Sequence, residues 1–190
     1  MRLFVSIELP EDVRRHLGHV QKRLEPIIKA KWTAPEQFHL TLKFLGETAD
    51  HQLSQIISAL GGVRLDIPIT LETSGIVCFP SHGPIRIIAA ALADEIGASG
   101  SLQSRIDEAC HGAGFPLDGR RWNPHVTIGR VKDRAGDSVR RVVAGLAFTP
   151  LQFETEEFYL MERRPDQNGP KYARLATFTI RGRGTAETRC

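Results

Sequence analysis

Two tetrads, His39-Leu40-Thr41-Leu42 and His125-Val126-Thr127-Ile128, lie 86 residues apart in a chain of 190. They match slot by slot: imidazole, aliphatic, hydroxyl, aliphatic. In a β-strand, residues two apart share a face, so each tetrad puts one imidazole and one hydroxyl on a polar face, about 7 Å apart at their roots. The intervening Leu40, Leu42, Val126 and Ile128 turn the opposite way, into a core. A helix-then-strand unit ending in such a tetrad occurs twice, at a spacing near half the chain. That period is too long for a solenoid. It constrains the chain to two similar lobes facing each other.

The rest of the sequence supplies matching elements. Leu3 to Leu9 reads as a strand closed by Pro10, and Glu11 to about Ile28 as an amphipathic helix with Val13, Leu17, Val20 and Leu24 on its apolar face. A strand follows over 39–45, then a helix over about 49–60 ended by Gly61-Gly62. Strands are predicted at 67–76 and 85–91, a helix at 96–113, a strand at 125–131 and a helix near 138–146. Two last strands lie at 148–161 and 172–180, joined by a Pro-, Gly- and Asn-rich loop over 163–171. Strands and helices mixed this way predict an α+β fold rather than a doubly wound sheet. Residues 1–181 are expected to form one bilobal domain, and 182–190 a mobile polar tail.

Composition narrows the class of protein without naming it. A hydrophobic share of 41% and a charged share of 25% suit an ordinary globular chain. The net charge of +3 is compatible with an anionic substrate but does not require one. Three cysteines, widely spaced and without a Cys-x-x-Cys pair, argue against a disulfide framework or a zinc cluster. No segment reads as a signal peptide or approaches the roughly 18 apolar residues of a membrane span. A cytoplasmic, non-membrane protein is expected.

The paired tetrads point to phosphate chemistry. Two imidazoles with an ordinary pKa of about 6.5 can carry protons in both directions near neutral pH. Two hydroxyls can donate to phosphoryl oxygens. Hydrolysis of a cyclic phosphodiester needs this set: a neutral imidazole takes a proton from water, a protonated one gives a proton to the leaving ribose oxygen, and the hydroxyls stabilise charge on the non-bridging oxygens. The strained five-membered ring makes metal activation chemically unnecessary. No cofactor or metal is therefore expected. A single His-x-Thr strand would be weak evidence; its duplication is what carries weight.

Taken together, Arg2–Pro10, Lys31-Trp32-Thr33, His39–Glu47, Phe79-Pro80, Asn123–Arg130 and Gly169–Tyr172 resemble the 2H phosphoesterase superfamily, and within it the RNA 2',3'-cyclic phosphodiesterases also called 2'-5' RNA ligases. The resemblance implies a bilobal, pseudo-twofold arrangement of two antiparallel sheets with flanking helices and an active site in the central cleft. It implies His39 as proton donor to the 3'-oxygen, His125 as proton acceptor from water, a 2'-phosphate product, and reversible 2'-5' ligation as a further activity. The two motifs are chemically equivalent, so the donor and acceptor labels come from the resemblance alone. Thr41 and Thr127 would bind the phosphate. Phe44 and Arg130, each five residues past its histidine, would stack on the terminal base. Strict alternation turns both away from their histidines, so that role requires a strand break or bulge near the fourth position. Phe44 as a core aromatic is the competing reading. The aromatic that the family usually has near Ile87-Ile88 is absent.

RNA or an oligonucleotide with a cyclic phosphate end is the expected partner, with a monomer as the working unit. A 2H enzyme for a small cyclic nucleotide and a non-catalytic RNA-end binder are the alternatives. A metal hydrolase is disfavoured, because no His-x-x-x-His or carboxylate cluster accompanies the motifs. His16 and His19 are expected on a solvated helix face. Trp32 and Trp122 are expected in packing roles, and Arg120-Arg121 and Arg140-Arg141 as solvated pairs.

Overall fold

A computed structural model describes residues 1–119, 121–167, 170–181 and 187–188. Its strands are β1 (Arg2–Glu8), β2 (Ala30–Trp32), β3 (His39–Glu47), β4 (Ile69–Phe79), β5 (Ile85–Ala93), β6 (His125–Ala135), β7 (Gln152–Thr155), β8 (Glu157–Arg164), β9 (Lys171–Thr179) and β10 (Glu187–Thr188). Its helices are α1 (Glu11–Leu24), α2 (Leu53–Gly61), α3 (Ala98–Gly112) and α4 (Asp137–Ala144). The predicted α+β fold is what forms. No helix among the described residues is long and apolar enough to cross a membrane.

The strands make one antiparallel sheet in the order β10-β9-β8-β1-β3-β6-β5-β4-β7. The two expected sheets are present as its halves. They join through a single residue pair, Leu40 on β3 with Val126 on β6. A pseudo-twofold axis through that pair exchanges β3 with β6, β1 with β5 and β8 with β4. The halves are interleaved in sequence, since β4 sits beside β5 and β8 sits beside β1. Each half of the chain therefore gives later strands to the other lobe, β4 and β5 from the first half and β8 and β9 from the second.

Alternation drives one face of this sheet into the core. Leu3, Val5, Ile7, Leu40, Leu42, Val126 and Ile128 are all buried on the helix side, against the apolar stripes Val13, Leu17, Val20 and Leu24 of α1 and Leu102, Ile106 and Cys110 of α3. The helices cross over: α1 packs on β6 and α3 packs on β3. The residues between, including His39, Thr41, His125 and Thr127, are left on the other face.

Some boundaries move for physical reasons. Helix α1 ends at Leu24 rather than near Ile28, because Pro26 cannot continue its hydrogen bonding. The expected strand over 148–161 splits at Glu156 into β7, at one edge of the sheet, and β8, inside its other half between β9 and β1. Residues 187–188 of the expected tail pair with β9 instead of lying free. Residues 182–186, 189 and 190 lie outside the described residues, as do Arg120, Asn168 and Gly169.

Candidate active site

The seam between the halves brings the two tetrads together. Leu40 faces Val126 across antiparallel strands, so one step either side sets His39 against Thr127 and Thr41 against His125. The four groups share the open face of the sheet about the pseudo-twofold axis. Each imidazole is aimed the same way. Nδ1 of His39 lies 2.7 Å from the Gln37 carbonyl, and Nδ1 of His125 lies 2.8 Å from the Asn123 carbonyl. A carbonyl only accepts, so Nδ1 carries the proton in both rings, and Nε2 is left to gain or lose one.

The bulges that the stacking role requires are present in both strands. On β3 the register against β1 skips a residue between Thr41 and Lys43 and another between Phe44 and Gly46. On β6 the register against β5 skips Ile128. Burial follows: Leu42 and Lys43 are both buried, as are Ile128 and Gly129. The phase flips, and Phe44 and Arg130 return to the face of their histidines. Phe44 is 68% exposed, which excludes a core role. Because β3 and β6 are antiparallel, the two residues leave the central pair in opposite directions. Phe44 lies near Phe4, with ring centroids 6.3 Å apart, while the charge of Arg130 is felt at His39.

Aromatic side chains brace both histidines. Phe4 and Tyr172 lie 5.0 and 5.2 Å from the His39 ring, and Phe79 lies 4.9 Å from His125. Burial holds His39 below the ordinary histidine range. Its bond to the Gln37 carbonyl and the nearby Glu8 carboxylate pull the other way, and His125 and Arg130 add to the lowering. Beside His39 opens a pocket of about 290 Å³ lined by Ser6, Glu8, Arg14, Gln37, Lys171 and Tyr172. Ser6 is fully buried, faces Thr41 across the β1–β3 ladder, and its hydroxyl has no hydrogen-bond partner among the described residues.

Several of these residues escaped the sequence reading. Phe4, Phe79 and Tyr172 stood only inside matching segments, and Ser6 and Glu8 only inside the first strand. Their parity with Phe4 places Ser6 and Glu8 on one face, but only the register of β1 on β3 sets them beside Thr41 and His39. Elsewhere, His16 is not solvated as expected: its ring meets Phe148 edge-on at 5.2 Å, whereas His19 is exposed. Arg140 is also not merely solvated. It donates to the carbonyls of Pro80 and Gly83 and holds the β4–β5 turn. Trp122 donates to the Thr41 carbonyl at 3.1 Å, and Trp32 packs on Gly129.

The interleaved lobes and the paired His-x-Thr-x strands at their seam define a 2H phosphoesterase. Within that class the chain belongs to the LigT-like phosphoesterase family, whose model matches residues 7–89 and 93–172. It is 32% identical over 188 residues to the RNA 2',3'-cyclic phosphodiesterase of Thermus thermophilus, covering 96% of this chain and 91% of that protein. It is 29% identical over 179 residues to the enzyme of the same name from Archaeoglobus fulgidus, covering 94% and 99%. Among solved structures, TT0787 of Thermus thermophilus aligns with a TM-score of 0.78 at 28% identity, over 97% of this chain and all of that one. LigT of E. coli complexed with 3'-AMP aligns with a TM-score of 0.77 over 94% and 97%; at 20% identity it bears on the fold alone.

Proposed function

We propose that this protein is an RNA 2',3'-cyclic phosphodiesterase, a hydrolase that opens the cyclic phosphate at an RNA end to a 2'-phosphomonoester. The observation that carries the reading is the seam itself: two imidazoles, each with Nδ1 tied to a carbonyl and Nε2 free, on either side of one cross-strand pair. The relatives named above support it, since they bear that activity in their names.

In this reading the cyclic phosphate sits over the Leu40–Val126 pair. His125 Nε2 takes a proton from water as the water oxygen bonds to phosphorus. The bond from phosphorus to the 3'-oxygen breaks, and His39 Nε2 gives its proton to that oxygen. The product has a free 3'-hydroxyl and a 2'-phosphate. Thr41 and Thr127 donate to the non-bridging oxygens, where negative charge grows. Phe44 and Arg130 offer an aromatic and a guanidinium face for base stacking. With an RNA 5'-hydroxyl in place of water, the same forward step would join ends through a 2'-5' linkage: the 5'-oxygen bonds to phosphorus as His125 takes its proton, and the 3'-oxygen leaves with the proton of His39. The working unit is the single chain, acting in the cytoplasm, with neither metal nor cofactor in the reaction.

The test is incubation with an oligonucleotide ending in a 2',3'-cyclic phosphate, followed by identification of the phosphate position. A 2'-phosphate that forms in the presence of EDTA is expected. His39→Ala and His125→Ala should each cut kcat by about a hundredfold to ten-thousandfold, with circular dichroism unchanged. Near-normal turnover in either variant would exclude the two-histidine mechanism.

A further inference from the structure

The site is symmetric in its motifs but not in its flanks. On β1, Phe4, Ser6 and Glu8 pair with Phe44, Thr41 and His39. On β5, the pseudo-twofold counterparts Ile87, Ala89 and Ala91 pair with Arg130, Thr127 and His125. A carboxylate thus stands directly across the ladder from His39, and a methyl group stands in the same place across from His125. Glu8 and His39 also line the same pocket.

The carboxylate is held in place. Arg174 Nη2 donates to Glu8 Oε2 at 2.6 Å, and the Arg174 guanidinium lies 4.1 Å from the centre of the Tyr159 ring. Tyr159 in turn donates its hydroxyl to Glu157 at 2.6 Å. Arg174 belongs to β9, which pairs along the whole of β8. Among the described residues the second lobe has no equivalent support, because β7 reaches only Ile69–Glu72 of β4. Among the described residues, the bracket that fixes a carboxylate beside His39 is therefore built in one lobe only.

We propose that Glu8, held by Arg174, is the positioning residue that breaks the symmetry of the two histidines and makes His39 the proton donor. The inference rests on the cyclic phosphodiesterase reading and supplies the physical cause of a polarity that the motifs lack. Burial and the positive charges of His125 and Arg130 favour a neutral His39. Arg14, Glu36 and Lys171 also line the pocket, with the Lys171 ammonium paired to Asp166 at 2.8 Å. Glu8 is the anion set on the ladder opposite the imidazole, and it favours the protonated ring until the substrate phosphate adds its own charge.

The test reads each imidazole directly. Titration of the His39 and His125 side chains by heteronuclear NMR is compared in wild type, Glu8→Gln and Arg174→Met, with kcat/KM followed against pH on a cyclic-phosphate oligonucleotide. An opposite charge at contact distance moves a titration midpoint by about 1 to 3 pH units. Sharing with Arg174 reduces that, so Glu8→Gln should lower the His39 midpoint by about 0.5 to 1 pH unit and leave His125 in place. Arg174→Met, which frees the carboxylate, should raise the His39 midpoint. The alkaline limb of kcat/KM should follow in both cases, down in the first and up in the second. Glu8→Asp should recover part of the wild-type profile. A His39 midpoint unmoved by Glu8→Gln, or equal movement of both histidines, overturns the proposal. Should Arg174→Met fail to fold, Glu8→Gln alone decides. Absence of turnover in the wild type would count against the phosphodiesterase reading, whereas the NMR midpoints judge Glu8 independently.

Discussion

His39 is the residue in which fold and chemistry pull against each other. Its ring is wedged between Phe4 and Tyr172, and that burial lowers its affinity for a proton. In the unfolded chain the same imidazole titrates near 6.5. As pH falls through that value the unfolded state takes up a proton before the folded state does, so this residue makes stability decline with acid. The loss is complete once pH drops below the folded midpoint. His39→Asn keeps an amide that can donate to the Gln37 carbonyl but removes the titration. Between about pH 8 and pH 5 the variant should lose less stability in urea unfolding than the wild type. An equal loss in both would mean that other groups account for the acid sensitivity of the fold. In the proposed mechanism, the same burial is the reason a proton donor at His39 would need a nearby anion.

At the scale of the strand, the pair of bulges decides whether residues five past each histidine can reach the cleft. The two bulges are anchored from behind by different means, each from the other half of the chain. Behind β3, the buried Lys43 ammonium pairs with Asp107 of α3 and donates to the Pro116 carbonyl at 2.9 Å. Behind β6, Gln21 of α1 donates to the Ile128 carbonyl at 2.8 Å. Gly129 leaves room there for Trp32: a Cβ at this position would stand 2.7 and 2.9 Å from two carbons of the indole. Gly129→Ala should therefore push β2 from β6 and cost about 1 to 3 kcal/mol, together with a raised KM as Arg130 shifts. Lys43→Met strands the Asp107 carboxylate and should cost about 3 kcal/mol or more. Denaturant melts and steady-state kinetics read both; a Gly129→Ala protein with unchanged KM would separate the bulge from substrate binding. Little of this was legible beforehand. The tetrads, the α+β class and the two lobes follow from periodicity and repetition, which are local. A bulge is a mismatch between two strands, so no single strand's sequence carries it. The need for a bulge was visible only because Phe44 and Arg130 had the wrong parity. Nothing in the local sequence marks Lys43 or Gln21, because the crossed helices alone place their partners behind the sheet.

Across the whole molecule, the interleaving of the two halves determines how it can come apart. The lobes share one cross-strand pair at the seam, Leu40 with Val126, which by itself would suggest two weakly coupled units. The rest of the wiring argues otherwise. Strand β4 belongs to the first half of the sequence and completes the second lobe, and β8 does the reverse. Helix α1 packs behind β6 and α3 behind β3, so each lobe's motif strand is buried by a helix from the other half. Neither lobe can shed its strands without exposing the other's core, so the interleaved chain is expected to unfold in a single step. Both tryptophans report on the seam, Trp32 through Gly129 and Trp122 through its bond to the Thr41 carbonyl. Urea titration followed by tryptophan fluorescence should therefore coincide in midpoint and slope with the transition followed by far-ultraviolet circular dichroism. Fluorescence changing at lower urea than circular dichroism would mean that the seam opens before the lobes melt. In that case the four groups about the Leu40–Val126 pair would be held by a hinge between lobes, and not by the common core that their placement on one continuous sheet implies.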